Sequence, residues 1–138
     1  KIKNKIIIAT IVVITVGGYA YLQRSNSNIS PVKMLEIVDV KTGNGALAMV
    51  GKSIKIHYTA SVYGGKQFDN TYDHGPKEFR LGNGQTIAGF EQGIPGMKVG
   101  GIRRLTMPPS MGFGTTGTGN TIPANAALVY EIELLESK

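Results

Sequence analysis

The sequence contains no cysteine, which excludes disulfide bonds and thiol catalysis and leaves the redox compartment undetermined. Histidine is scarce as well: His57 and His74 are the two present, and neither has a second histidine near it at metal-ligand spacing. These absences leave few groups for nucleophilic or metal-assisted catalysis. We therefore expect the protein to work without a metal or another cofactor.

Nucleotide-binding motifs occur only in fragments. The stretch 112–117 matches G-x-G-x-x-G, but glycine and threonine continue after it, where a dinucleotide site needs a helix to begin. Gly51-Lys52-Ser53 resembles the end of a P-loop, but the residues that follow alternate as a strand does. Both fragments are therefore rejected as phosphate sites.

The net charge of +6 is concentrated at the beginning of the chain. Four basic residues and no acidic ones lie within residues 1–24, and the remaining chain has 11 basic and 9 acidic residues. The basic residues of this remaining part form no stripe or cluster. A nucleic-acid partner is therefore not expected, because the electrostatic footprint of such binding is missing.

Residues 1–24 have the composition of a targeting segment. Three lysines precede an uncharged, largely apolar run of 17 residues, Ile6 to Leu22, which predicts an N-terminal hydrophobic helix. A cleaved signal peptide and an uncleaved membrane anchor both fit, and a buried core helix is the third reading. Because the lysines come first, the positive-inside rule places the following domain outside the cytoplasm. The sequence thus predicts an exported protein, either membrane-anchored or periplasmic, with a polar linker at residues 25–33 and one domain at residues 34–138.

Alternation of apolar and polar residues predicts strands through most of that domain. The clearest case is Ser53 to Tyr63, whose apolar face is separated from a polar face as in an antiparallel strand with one side in water. His57 falls on the polar face and is expected to be solvated. The other predicted strands are Met34–Lys41, Gln67–Asn70, Glu78–Leu81, Ile102–Met107 and Ala127–Glu136.

One stretch departs from this pattern and predicts a short helix. Ile87, Phe90 and Ile94 fall on one helical face, Thr86 is a candidate N-cap, and Pro95-Gly96 ends the segment. A single short helix in a strand-rich chain is expected to pack on the concave face of a curved antiparallel sheet. The predicted fold class is therefore α+β, with Phe90 as the floor of the hollow between helix and sheet.

An ordered set of short motifs spans about Met34 to Leu135. The motifs are Ile56-His57-Tyr58-Thr59, Gly65-Lys66-Gln67-Phe68-Asp69, Leu81-Gly82-Asn83-Gly84, Ile87-Ala88-Gly89-Phe90, Gly112-Phe113-Gly114, Ile122-Pro123 and Leu128-Val129-Tyr130. Together they resemble the FKBP-type peptidyl-prolyl cis-trans isomerases. This resemblance implies the same curved sheet around one helix and an isomerase acting on X–Pro bonds, and the N-terminal segment predicts that its substrates are exported polypeptides. The resemblance also implies proline-containing polypeptides as substrates and macrolides such as tacrolimus or rapamycin as ligands.

Carried over position by position, the resemblance predicts the residues of the site. Those with catalytic roles are Tyr58, Phe68, Asp69, Ile87 and Phe90, and those that bind substrate are Thr86, Phe113, Ile122 and Tyr130.

Four positions depart from the family pattern. The floor is usually tryptophan and here is Phe90, and the loop tyrosine that donates to ligands is replaced by Phe113. His74 stands where arginine is common, and Lys77 where an aromatic is sometimes found.

Core packing is the competing explanation for the aromatic residues of this set. It explains Tyr58 and Asp69 less well, because a tyrosine on an apolar face needs a partner for its hydroxyl. We therefore predict a hydrogen bond between Tyr58 and Asp69.

The predicted chemistry needs no nucleophile. A dry aromatic pocket favours the twisted, less dipolar amide over the planar one, while the Ile87 N–H holds the substrate backbone. The alternatives are a chaperone-like or docking module that binds proline-containing segments without turnover, and a structural β-domain with a degenerate pocket.

Overall fold

The computed structural model describes residues 32–138 throughout and, before them, only the strands at residues 11–16 and 19–24. The rest of the N-terminal segment, including most of the predicted linker, lies outside the described residues. The predicted division at residues 1–24, 25–33 and 34–138 stays a prediction.

The described part of the N-terminal segment is a pair of strands where the sequence predicted a hydrophobic helix. Strand β1 (Ile11–Val16) pairs antiparallel with β2 (Tyr19–Arg24). All six residues of β1 are β-branched, and such side chains lose rotamer freedom in a helix and fit an extended backbone. Within the described part of the chain, no helix is both long enough and apolar enough to cross a bilayer.

A six-stranded antiparallel sheet forms the body of the fold. Its order is β3-β7-β8-β4-β5, and β6 pairs with β4 on the same side as β5. The sheet strands are β3 (Glu36–Lys41), β4 (Ser53–Val62), β5 (Gln67–Asn70), β6 (Lys77–Arg80), β7 (Ile102–Met107) and β8 (Leu128–Ser137). Helix α1 (Ala88–Gly93) and two 3₁₀ turns, Thr71–Asp73 and Pro109–Met111, complete the described elements. The predicted α+β fold is confirmed.

The core lies where the alternation predicted it. On β4 the buried side chains are Ile54, Ile56, Tyr58 and Ala60, and the residues between them are partly exposed. The neighbouring strand β8 alternates in the same way, and its buried face packs beside that of β4. The buried side chains of β8 are Leu128, Tyr130, Ile132 and Leu134.

Two glycines let helix α1 approach the sheet closely. A Cβ atom on Gly89 would lie 2.5 Å from the Met107 sulfur, and one on Gly93 would lie 2.6 Å from Leu105 Cδ1. Because residues four apart share a helix face, both contacts fall on the side of α1 that meets β7. The absence of two side chains therefore sets how deep the helix sits.

The helix begins one residue later than the sequence predicted. Its N-cap is Ile87, with extended backbone angles, and not Thr86. The Ile87 carbonyl accepts from the amides of Phe90 and Glu91, which closes the first turn. No side chain caps this end of the helix, so the prediction that Thr86 is the N-cap is wrong.

Arg103 joins the other end of the helix to the edge of the sheet. Its guanidinium donates to Asp39 on β3, with Nε 2.6 Å from Oδ1, and Nη1 donates to the carbonyl of Gly93 at 2.9 Å. A further bond reaches the carbonyl of Pro95 at 3.2 Å. Only 10% of the arginine side chain is exposed, so these partners replace nearly all of its hydration.

We predict that Arg103→Ala lowers the free energy of unfolding by about 3 kcal/mol, because Asp39 and two carbonyls lose their partner. Urea unfolding measures this directly. The matched control is Arg104→Ala on the same strand, whose pair with Glu131 is solvent-exposed and worth at most about 1 kcal/mol. Equal losses in the two variants would contradict the bridging role of Arg103.

Candidate active site

Four aromatic side chains converge where the helix meets the sheet. The ring of Phe90 lies 4.7 Å from that of Tyr130 and 5.8 Å from that of Tyr58, both in edge-to-face geometry. Phe68 meets Tyr130 edge-on at 6.2 Å. Tyr58 and Tyr130 come from buried positions of adjacent strands, and Phe90 from the buried side of α1. The structure thus brings together Tyr58, Phe68, Phe90 and Tyr130, as the sequence predicted.

Two hollows adjoin this aromatic cluster. The first, of about 270 Å³, lies between β6 and the segment leading into α1, and Phe90 lines it. The second, of about 440 Å³, adjoins Phe68. The first is lined by Tyr58, Lys77, Glu78, Phe79, Gln85, Thr86 and Phe90. The second is lined by Val62, Gly65, Lys66, Gln67, Phe68, Thr121 and Pro123.

A hydrogen-bonded polar pair borders the cluster. Tyr58 Oη donates to Asp69 Oδ2 at 2.8 Å, so the predicted bond is present. The other carboxylate oxygen accepts from the amide of Asn70 at 2.8 Å and lies 3.2 Å from His74 Nε2. Asp69 is half-buried, and its two oxygens have three partners between them.

These contacts fix the charge of the pair. Burial by itself would raise the pKa of Asp69, but the hydrogen bonds from Tyr58, Asn70 and His74 outweigh it and hold that pKa below its ordinary value. Burial, and then the bond to the carboxylate, raise the pKa of the Tyr58 phenol. At neutral pH the site therefore has an ionised carboxylate and a neutral phenol.

Some donors at the site have no partner among the described residues. One is the backbone N–H of Ile87, a half-buried residue at the start of α1. Another is the hydroxyl of Tyr130, a residue only 4% exposed. Burial, and then the charge of Asp69, raise the pKa of this phenol. Within residues 32–138, Oε1 of Glu91 is the side-chain polar atom that is both fully buried and without a partner. The Tyr130 hydroxyl does not meet both conditions, so part of its surface remains accessible.

The remaining predicted residues are Thr86, Phe113 and Ile122. Thr86 lines the first hollow, and Phe113 and Ile122 belong to the long loop between β7 and β8. Ile122 is buried in the core, and Phe113 packs partly buried against it. The loop is braced by backbone bonds, among them Thr118 N–H to the Ile122 carbonyl at 3.0 Å.

Sequence reasoning missed two features of the site. Phe79 stacks on Phe90 with the ring centroids 6.1 Å apart, which its strand pattern could have indicated. His57, expected to be solvated, instead stacks on Tyr72 at 4.3 Å and contacts Thr71 through Nδ1. The reason is that the 3₁₀ turn after β5 covers the polar face of β4 at this point.

Comparisons with known proteins agree with this geometry. The family model described as FKBP-type peptidyl-prolyl cis-trans isomerase matches residues 45–135. The FK506-binding protein of Neisseria meningitidis serogroup A is 45% identical over 103 residues, covering 74% of this chain and 94% of that protein.

A plant relative and a solved structure extend the comparison. Peptidyl-prolyl cis-trans isomerase FKBP15-3 of Arabidopsis thaliana is 46% identical over 96 residues, which are 69% of this chain and 66% of that protein. The crystal structure of AtFKBP13 superposes with a TM-score of 0.70 at 35% identity and covers 75% of this chain and 93% of that one.

Proposed function

The chain belongs to the FKBP-type peptidyl-prolyl cis-trans isomerases, and from this premise we propose that the aromatic cluster and the Tyr58–Asp69 pair rotate X–Pro bonds without covalent chemistry. The observation that carries the proposal is the 2.8 Å bond between Tyr58 Oη and Asp69 Oδ2 at the border of the cluster. It places a fixed, ionised carboxylate beside an apolar surface. Core packing alone requires no such group.

The apolar surface lowers the barrier by discriminating between two forms of the same bond. Amide resonance gives the planar X–Pro bond a barrier of roughly 18–20 kcal/mol and a large dipole that water stabilises. The twisted transition state is less dipolar, so its transfer from water to the apolar surface costs less free energy than that of the planar form. A prolyl ring resting on Phe90, between Tyr58 and Tyr130, therefore favours twisting by differential binding.

The polar groups orient the substrate on this surface. The unpartnered N–H of Ile87 holds the substrate backbone beside Phe90. Asp69, held by Tyr58, orients the carbonyl dipole of the residue before proline as it rotates. Positioned dipoles of this kind contribute a few kcal/mol each, and Phe113, Ile122 and Thr86 close the pocket around the ring.

Macrolides such as tacrolimus or rapamycin are ligands of the same pocket in this proposal. Support comes from the relatives whose names describe FK506 binding. The loop position that supplies a ligand donor in the family is Phe113, which has no hydroxyl. We therefore expect weaker macrolide binding than a tyrosine at this position would give.

Asp69→Ala tests the polar pair. We predict that kcat/KM on a proline-containing peptide falls about tenfold, or 1.4 kcal/mol, while the melting temperature stays within a few degrees, because the three contacts that the Asp69 carboxylate makes are only partly buried or exposed. Tyr58→Phe should give part of this loss, and the double variant should be less than additive.

The matched control for this experiment is Asp73→Ala, because Asp73 is exposed in the neighbouring turn and should leave kcat/KM unchanged. Wild-type kcat/KM in the Asp69→Ala protein would contradict the role of the pair. Binding of the peptide by the wild-type protein without turnover would favour the docking module instead.

The hydroxyl of Tyr130 supplies a second test. Since none of the described residues bonds to this hydroxyl, it is available to a substrate carbonyl and offsets the donor absent at Phe113. We predict that Tyr130→Phe keeps the thermal stability of the wild type and lowers kcat/KM by about threefold, on the scale of one neutral hydrogen bond. Wild-type kcat/KM in this variant would show that the hydroxyl does not reach the substrate.

The protein is further proposed to act on polypeptides outside the cytoplasm. Support comes from the composition of residues 1–24 alone, in which lysines precede an uncharged apolar run. Positive charge before such a run retains the N-terminus on the cytoplasmic side.

A fusion tests this localisation. A reporter that is active only in the cytoplasm, joined after residue 33, should be inactive in cells, whereas the same fusion with the lysines at positions 1, 3 and 5 changed to glutamate should regain activity. Strong activity of the unchanged fusion would contradict export.

A further inference from the structure

Strand β4 has a gap in its pairing beside the active site. On one side it pairs with β8 along most of its length. On the other side β6 pairs with residues Ser53 to Ile56, and β5 pairs with Thr59 to Ser61. His57 and Tyr58 lie between these two short strands, and none of the described strands pairs with them on that side.

The hydroxyl of Thr71 fills this gap. It accepts from the backbone N–H of Tyr58 at 2.8 Å and donates to the carbonyl of the same residue at 3.2 Å. One side chain thus satisfies both backbone groups that a strand would otherwise pair. Thr71 has no exposed surface, so water cannot replace it there.

The same oxygen has a third partner, His57 Nδ1, at 2.9 Å. A hydroxyl has one proton and two lone pairs, so the Thr71 oxygen can serve all three partners at once: with its proton on the Tyr58 carbonyl, it accepts from the Tyr58 N–H and from Nδ1 of His57. All three contacts depend on the hydroxyl, and none on the methyl group.

Thr71 ties together the two segments that form the polar pair. Thr71 follows Asp69 by two residues in the chain. Its hydroxyl bonds to the backbone of Tyr58, and the side chain of Tyr58 bonds to Asp69. The backbone bonds prevent β4 and the turn after β5 from sliding relative to each other. The distance from Tyr58 Oη to the carboxylate is therefore set before substrate arrives.

From this geometry we infer that Thr71 is a positioning residue of the isomerase, acting on catalysis through the Tyr58–Asp69 pair without touching substrate. The inference rests on the function proposed above. A purely structural role of the Thr71 hydroxyl would affect only overall stability. The positioning role also links this hydroxyl to the geometry of the Tyr58–Asp69 pair.

The test compares Thr71→Val, which removes the hydroxyl at nearly constant volume, with Thr71→Ser, which keeps it. We expect kcat/KM per folded molecule to fall about fivefold in Thr71→Val and to stay within about twofold of the wild type in Thr71→Ser. In a Tyr58→Phe background, Thr71→Val should have little further effect, because the pair through which it acts is already broken.

A readout independent of activity accompanies the kinetics. The side-chain carboxyl of Asp69 is titrated by carbon NMR, and its pKa should rise towards the ordinary value in Thr71→Val, because a displaced Tyr58 no longer donates. In Thr71→Ser the pKa should stay low.

Four results would overturn the inference: a folded Thr71→Val protein with wild-type kcat/KM, an equal loss from Thr71→Val in the Tyr58→Phe background, a folded Thr71→Ser protein as impaired as Thr71→Val, or an unchanged Asp69 pKa in folded Thr71→Val. If Thr71→Val does not fold, the kcat/KM and the Asp69 pKa of Thr71→Ser decide. Values close to those of the wild type support the inference, and altered values contradict it. A wild-type protein that isomerises no proline peptide would contradict the proposed function itself, whereas an unchanged Asp69 pKa in folded Thr71→Val would contradict only the role of Thr71.

Discussion

The close approach of helix α1 to the sheet is the constraint on which the rest of the structure depends. Because Gly89 and Gly93 have no side chains, α1 packs directly on the side chains of β7, and Arg103 bonds the end of the helix to β3. This approach brings Phe90 against Tyr58 and Tyr130. With a bulkier residue at either glycine the helix would have to move outward, and the apolar surface would lose its floor.

The site combines two environments that seldom lie so close together. The aromatic cluster excludes water, which is what a less dipolar transition state requires, yet an ionised carboxylate lies at its border. Asp69 is stable there because three donors, from Tyr58, Asn70 and His74, surround its oxygens. The pair is thereby fixed without the large cost of an unpaired buried charge.

Much of this arrangement could be predicted from the sequence, and the reason differs from element to element. The period-two pattern of β4 placed Tyr58 on the buried face, and the unmet need of its hydroxyl pointed to Asp69. Thr71 could not be found in this way, because its partners are backbone atoms at a gap between strands, and neither composition nor motif encodes such a gap. His57 was misjudged for a related reason: the pattern of its own strand does not show that a turn covers it. At the N-terminus, the apolar run by itself predicts a helix, but the residues of β1 are all β-branched, and the described part forms strands.

In the proposed mechanism, an apolar surface with a fixed polar border rotates the X–Pro bond with no proton transfer. The most direct measurement is kcat/KM for a proline-containing peptide in H₂O and in D₂O, at matched positions on the pH profile. Rotation about an amide moves no exchangeable proton, so we expect the same kcat/KM in the two solvents within error. A several-fold lower rate in D₂O would show that a proton moves in the rate-limiting step, and would contradict it.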